Sequence, residues 1–463
     1  MLRILTLLSA LLLSACVTAE KRPDLARLYQ SVSNAPDQPP VILIHGLMGS
    51  TLVDKETGKE FWPGSLGALA FSDYRGLAQM SSEDREGEGL VPGDLFYGVA
   101  GVDFYSALLD ALERVGRFRR GQPGDPVRGA DDRRRYYVFL YDWRKDNTET
   151  ARKLHALIEQ IRVDYGDANL RVDLIAHSNG GLIANYYLRY GPRDVLAEAE
   201  PQPGQEGPQR VRRLVMLGTP NLGSVKSVER LLYGMRIGLR VIPVEVMASI
   251  ATPYEALPHP WLQPIVDAQG RAVTLDLYDP DEWRQRQWSV YSPEVIARVR
   301  DSAATPDAGE AAVAELQAAF VRHLARARRF LLALSRPMPA GVDAAVFGGD
   351  CELTAARALL AVNGEGSALI FRPAETARSR LGRNELPDRA AAGIDYESLL
   401  TEPGDGLVTR TSQLARAPGQ NGEPGPDFHF FRNPQTVFLC ESHHALTSNA
   451  NFQDNLLYFL LAR

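Results

Sequence analysis

Ser178 is the residue around which the chemistry of this chain can be organised, because the run Val172-Asp173-Leu174-Ile175 leads straight into Ala176-His177-Ser178-Asn179-Gly180-Gly181. A serine hydroxyl is a weak nucleophile until a base takes its proton, and a sharp strand-to-helix bend presents it to one. Such a bend needs small residues two positions to either side; Ala176 and Gly180 supply them, although glycine is the commoner first residue. The bare string arises often by chance, so its strand-like and helix-like flanks are what single it out. A second run, Ile42-Leu43-Ile44-His45-Gly46-Leu47-Met48-Gly49, ends an apolar stretch in a glycine-containing loop. The backbone amides of Leu47 and of Asn179 are candidate donors to the oxyanion that forms when an acyl carbonyl is attacked. The chemistry expected is acyl transfer through a serine ester, which calls for no metal and no cofactor.

A serine on such an elbow takes an acid and then a histidine from later in the chain, which leaves His259, His323, His429, His443 and His444 as bases. His259 lies between prolines, His323 in a helical pattern, and His429 in an aromatic run behind a Pro- and Gly-rich loop, so these three read as structural. His443 and His444 follow the last strand-like run directly; His443 is preferred and His444 is the alternative. For the acid, Pro403-Gly404-Asp405-Gly406-Leu407-Val408 offers Asp405 on a turn, with Asp350 in Gly348-Gly349-Asp350-Cys351 as runner-up. Its task is to orient the imidazole and support its charge, not to accept the proton.

These residues need a scaffold that brings distant turns to one edge. Short β-branched runs at 41–44, 136–141, 172–175, 214–217, 344–347 and 436–439 alternate with helical periodicity at 151–165, 182–190 and 311–334. That alternation predicts an α/β fold with a mostly parallel sheet and crossover helices over residues 41–463. Two stretches break the rhythm, 52–101 with Trp62, Leu66, Leu69 and Phe71, and 225–308 with Leu231, Leu232, Met235, Ile237, Leu239, Trp261 and Trp288. They read as insertions over the strand ends, where lids and substrate pockets are built. With 463 residues, 45% of them hydrophobic, and a net charge of -6, the chain can bury a large core and carries no broad basic field for nucleic acid. The arginine runs at 133–135 and 326–329 read as solvated faces.

The first sixteen residues are set apart from the fold. Arg3 precedes an apolar stretch at 4–13 that is short for a bilayer span, and Leu13-Ser14-Ala15-Cys16 resembles a bacterial lipobox. The expectation is export, cleavage, and acylation of Cys16, with Val17 after it favouring the outer membrane of a Gram-negative bacterium. Residues 17–40, with Pro23, Pro36, Pro39 and Pro40, would be a flexible tether. Two further cysteines, Cys351 and Cys440, would then sit in a compartment that permits a disulfide.

Assembled, the segments resemble the lecithin:cholesterol acyltransferase family, a branch of the α/β-hydrolases that acts on phospholipids and other acyl esters. The resemblance runs through His45-Gly46-Leu47-Met48-Gly49-Ser50, Tyr141-Asp142-Trp143-Arg144, the elbow, Leu217-Gly218-Thr219-Pro220-Asn221-Leu222-Gly223-Ser224, the Asp405 turn and the stretch from His443 to Asn449. It implies an α/β-hydrolase fold with lid insertions, Asp405 as triad acid and His443, six residues before Asn449, as base. In that fold the last two strands are neighbours, which would bring Cys351 and Cys440 close enough to pair. It implies a lipid acyl-ester substrate, met at a membrane through the anchor. The chain departs from the family in carrying Asn179 where an apolar residue is usual and in lacking a cysteine pair in the first insertion. A carboxylesterase or thioesterase, or a tethered lipid-binding protein without turnover, are the alternative readings.

Overall fold

The structure is a computed structural model that describes residues 22–31, 38–64, 67, 71–79, 89–99, 102–363, 366–372, 393–416 and 434–461. Cys16 and the segment around it, Leu66, Leu69, and His429 with the 417–427 loop lie outside the described residues.

Strands with apolar residues at consecutive positions need cover on both faces, and a parallel sheet between helix layers provides it. In β1 (Val41–Ile44), Ile42 and Ile44 join one apolar cluster while Val41 and Leu43 join the other. The same alternation runs through β4 (Val172–His177), where Leu174 and Ala176 face one way and Ile175 the other. With β2 (Arg119–Arg120), β3 (Arg135–Phe139), β5 (Val211–Leu217), β6 (Asp343–Gly349) and β7 (Gln435–Leu439) they form a seven-stranded sheet ordered β7-β6-β5-β4-β1-β3-β2. Every pairing in it is parallel. All six expected strands are there. The second of them, β3, stops at Phe139, short of the expected 141, because Tyr141 leaves the sheet to stack on His45.

The register decides where chemistry can happen. Ile44 pairs with Ala176, His177 with Leu217, Leu217 with Phe347, and Gly349 with Leu439. The carboxyl ends of β1, β4, β5, β6 and β7 therefore share one edge, where an α/β sheet places its ligands.

Helix α1 (Asn147–Asp164) starts at Asp146, whose carboxylate accepts the Thr148 N–H at 2.8 Å. Helix α2 (Asn179–Tyr190) follows the elbow and is buried at all its positions, which explains its apolar and tyrosine-rich sequence. Helix α3 (Val225–Tyr233) opens the second insertion, α4 (Pro306–Leu334) starts on a Thr305 cap with proline in its first turn, and α5 (Ala450–Leu461) covers the opposite sheet face. Among the described residues no helix is long and apolar enough to cross a membrane.

The reading of the arginine runs as solvated faces holds at Arg328 and Arg329, which are exposed, and needs correction in the first run. Arg134 and Arg135 are buried, the first donating to the Gly116 carbonyl and the second clamped on Asp132 and the carbonyls of Asp125 and Pro126. Arg326 reaches Asp146 and Asp194, tying α4 to the start of α1. In the 17–40 segment, Leu25–Leu28 form one helical turn, and the buried Tyr29 donates to Asp454 on α5.

The first insertion holds a three-stranded antiparallel sheet of Glu60–Trp62, Ser50–Asp54 and Leu90–Leu95. The second contains α3 and a hairpin of Met235–Ile237 with Arg240–Ile242. A third, between β6 and the Asp405 turn, was not anticipated. Glu352–Ala355 leaves the sheet edge and Thr401–Gly404 returns antiparallel to it, with Glu352 opposite Gly404. That pairing carries the chain back to its point of departure and sets Asp405 beside Gly349, where an added β-carbon would lie 2.8 Å from the Asp405 side chain.

Candidate active site

Ser178 occupies the bend between β4 and α2 with φ 54° and ψ -123°, a backbone conformation that strains any side-chain-bearing residue. Its N–H donates to the Leu217 carbonyl at 2.8 Å and its carbonyl accepts from Gly181 at 2.9 Å, so both arms of the bend are held. A β-carbon on Gly180 would stand 2.5 Å from the Ile44 carbonyl oxygen, and one on Gly46 would stand 2.8 Å from the Ser178 β-carbon. The glycines thus let α2, the elbow and the loop after β1 press together.

The structure brings Ser178, His443 and Asp405 into one hydrogen-bonded chain. Ser178 Oγ lies 3.0 Å from His443 Nε2, and His443 Nδ1 lies 2.8 Å from Asp405 Oδ2. The other carboxylate oxygen, Oδ1, accepts the amides of Leu407 at 3.0 Å and Val408 at 2.7 Å, which fixes the carboxylate plane. The His443 amide donates to the Asp405 carbonyl at 2.8 Å, locking the two turns backbone to backbone. His443 and Asp405 are buried. With Nδ1–H directed at the carboxylate, Nε2 is left as the acceptor for the serine proton. Gly218, with φ 60°, follows β5 and leaves room for the ring, since a β-carbon there would lie 3.1 Å from His443 Nδ1.

The other candidates lie elsewhere or face other partners. Asp350 pairs with Arg410 at 3.0 Å, and its amide donates to the Leu439 carbonyl. His444 turns its ring edge to Phe104 and to His443. His259 bonds Ser335 at 2.8 Å and the His323 ring lies tilted against Tyr254, neither of them in contact with Ser178, and burial pushes each down to about 4. Cys351 and Cys440 pair as a disulfide between the ends of β6 and β7. Among the described residues no group of three or more His, Cys, Asp or Glu could hold a metal ion.

Leu47 and Asn179 both border the cavity at Ser178, and among the described residues neither amide has a backbone acceptor outside regular structure. What holds their loop was not legible in sequence. The Gly46 amide donates to Tyr105 Oη at 3.0 Å, and Tyr105 Oη lies 2.9 Å from His177 Nδ1. His177 Nε2 in turn lies 3.3 Å from the His443 carbonyl. With its proton on Nε2, His177 accepts from the tyrosine, and burial, followed by the nearby His443, holds this imidazole far below its ordinary pKa and hence neutral. One chain of bonds thereby joins the β1 loop, the elbow strand and the histidine turn.

Two strings singled out in the sequence act behind this layer. Tyr141 stacks on His45 at 4.1 Å between ring centres and donates to its carbonyl, and Trp143 donates to the Ser50 carbonyl at 3.1 Å. Asp142 and Arg144 form a buried two-point pair beside them. From Leu217-Gly218-Thr219-Pro220-Asn221-Leu222-Gly223-Ser224, Ser224 Oγ donates to the Leu407 carbonyl and the Leu222 amide to Ser412 Oγ, bracing the Asp405 turn.

An all-parallel sheet, helices on both faces and a strained serine bend at its carboxyl edge define the α/β-hydrolase fold, and this chain has it. A family model described as lecithin:cholesterol acyltransferase matches residues 132–287, a third of the chain, including the Tyr141 string, the elbow and the Leu217 string but not His45, Asp405 or His443. Among curated proteins none matches. Among solved structures, "The crystal structure of Tle4-Tli4 complex" is similar at TM-score 0.55 and 18% identity, covering 91% of this chain and 98% of that chain. The crystal structure of Staphylococcus hyicus lipase aligns over 96% of this chain and 97% of that chain at 13% identity and TM-score 0.37, and carries no weight here.

Proposed function

We propose that this chain is a serine acyl-ester hydrolase or O-acyltransferase acting on lipid esters. The observation that carries the reading is the Ser178 Oγ, His443 Nε2, His443 Nδ1, Asp405 Oδ2 chain opening into an apolar cavity of about 400 Å³. His443 takes the Ser178 proton as Oγ bonds to the ester carbon, and the carbonyl oxygen gains negative charge beside the Leu47 and Asn179 amides. Collapse breaks the ester C–O bond, and the leaving alkoxide takes the proton from His443. Water or an alcohol then repeats the sequence on the acyl-enzyme and returns Ser178. Met48, Trp62, Phe96, Phe104, Met235 and Ile237 around the cavity favour an acyl chain over a small polar acid.

Ser178→Ala is expected to abolish labelling by a fluorophosphonate probe and to remove every acyl product when membrane lipids exposed to wild-type and variant protein are compared. Labelling retained at the wild-type level would sink the proposal.

The site would be held at a membrane by acylated Cys16 on the outer membrane of a Gram-negative bacterium. Several buried acyl chains, at about 0.8 kcal/mol per CH₂, make such anchoring stable. Cys16→Ser is expected to move the protein from the membrane to the soluble fraction; a variant that still sediments with membranes would rule the anchor out.

A further inference from the structure

The cavity at Ser178 has two parts. The apolar part is continued by a smaller recess of about 40 Å³ bordered by Ser224, Lys226, Ser227 and Thr252, and Leu47, Ser178, Arg230, Leu407 and His443 border both. An ester carbonyl at Ser178 therefore has room for a chain on one side and a small recess on the other, where Lys226 and the Ser224, Ser227 and Thr252 side chains stand among Pro220, Pro253 and Ala256, with Arg230 at the junction.

Charge in this cavity is one-sided. Arg230, Lys226 and, on the exposed rim, Arg236 border it, and no aspartate or glutamate is among its described bordering residues. The nearest acid in sequence, Glu229, is engaged by Lys226 and by Arg372 at 3.7 Å. Arg230 itself is half-buried, and among the described residues its guanidinium has no hydrogen-bond or ion-pair partner. Burial pushes its pKa below the ordinary arginine value, and the charge of Glu229, already engaged by Lys226, only partly offsets it. A partly desolvated cation with no anion in hydrogen-bonding contact is costly, and such groups persist where an anion arrives to pair with them. The first turn of α3, capped by Ser224 on the Lys226 amide at 3.2 Å, ends at the same recess and adds its partial positive charge. This bias stands in a chain of net charge -6, so it is local.

Resting on the acyl-ester reading, we propose that Arg230 is the headgroup selector of the site, taking the phosphate of a net-anionic glycerophospholipid donor. A guanidinium meets a phosphate with two parallel N–H bonds, while a headgroup carrying an ammonium would bring that charge among Arg230, Lys226 and Arg236, with no carboxylate among the described bordering residues to receive it.

The test uses short-chain donors below their micelle concentration, so that adsorption to a surface plays no part. Wild-type protein is expected to turn over dihexanoyl phosphatidylglycerol with a kcat/KM about tenfold or more above that for dihexanoyl phosphatidylcholine. In Arg230→Gln that ratio should fall to about one, and Arg230→Lys should recover part of it. A wild-type ratio near one, or an Arg230→Gln variant that loses both activities while keeping their ratio, would overturn the proposal. Absence of any Ser178-dependent product from either donor would overturn the acyl-ester reading itself. Should the variants fail to fold, wild-type protein decides. Dodecyl phosphate should compete with a neutral ester about tenfold better than dodecylphosphocholine does, and inorganic phosphate should not compete. Equal competition by the two amphiphiles, or inhibition by inorganic phosphate as strong as by dodecyl phosphate, counts against a lipid headgroup at Arg230.

Discussion

The residues that touch the reacting atoms depend on others that do not, and Tyr105 is the plainest case. Its hydroxyl accepts the Gly46 amide and donates to His177, so it sets where the Leu47 amide stands relative to Ser178. Tyr105→Phe would leave the Gly46 N–H and the His177 Nδ1 buried without partners, a loss of about 1–3 kcal/mol. The expected outcome is a fall in kcat of about tenfold or more with KM nearly unchanged, since the donor geometry matters in the transition state and not in binding. Steady-state kinetics on a soluble ester measures it; a change confined to KM would show that the tyrosine shapes the pocket instead. Ser178, Asp405 and His443 could be named from sequence because an elbow, a Gly-Asp-Gly turn and a histidine after the last strand are each local patterns. Tyr105 and Arg230 could not, because the contacts that give them meaning join residues 72 positions apart in the first case and form a cavity between insertions in the second.

At the scale of elements, the elbow works only because β1 and α2 touch without intervening side chains. Gly180→Ala would set its β-carbon 2.5 Å from the Ile44 carbonyl oxygen, a backbone atom that cannot rotate away. Overpacking of this kind costs about 1–3 kcal/mol. Thermal unfolding should show a lowered Tm, and fluorophosphonate labelling should slow as Ser178 is displaced; an unchanged Tm with unchanged labelling would contradict the packing described. The disulfide is a second such tie. It closes a loop of 89 residues, for which chain entropy in the unfolded state gives about 4–5 kcal/mol of stabilisation. Cys351→Ala with Cys440→Ala is expected to lower Tm markedly in the absence of reductant, and reductant should lower it in the wild type alone. The central strands were readable because burial on both faces leaves unbroken apolar runs. The 352–404 insertion was not, because strands such as Glu352–Ala355 have a short, mixed sequence, exposed at one end and buried at the other, and are defined by the partner they meet nearly fifty residues later.

Across the whole molecule, burial of histidines sets how stability follows pH. His45, His259 and His323 are each pushed down to about 4, chiefly by burial. A histidine of ordinary pKa near 6.5 in the unfolded chain takes up a proton before its folded counterpart does. Their contribution is therefore present above about pH 6.5 and is lost as pH falls from there towards 4. The expected result is a Tm that declines over that range, and His259→Gln, which keeps a hydrogen-bonding group beside Ser335, should make the decline shallower. A Tm that holds or rises between pH 6.5 and 4 would show that other groups dominate. At this scale the sequence announced the layered α/β class, while the buried charges of Arg134, Arg135 and Arg144 were hidden, since an arginine string looks the same whether it meets water or an aspartate.

The distance along the chain between Ser178 and His443 has a consequence in time. They are 265 residues apart, and the histidine is delivered by the last strand of the sheet. A ribosome adding about 5–20 residues per second makes Ser178 roughly 13–53 s before His443. During that interval every nascent copy carries Ser178 without the imidazole it meets in the folded chain, so the Ser178–His443–Asp405 hydrogen bonds can close only after the last strand of the sheet has been made.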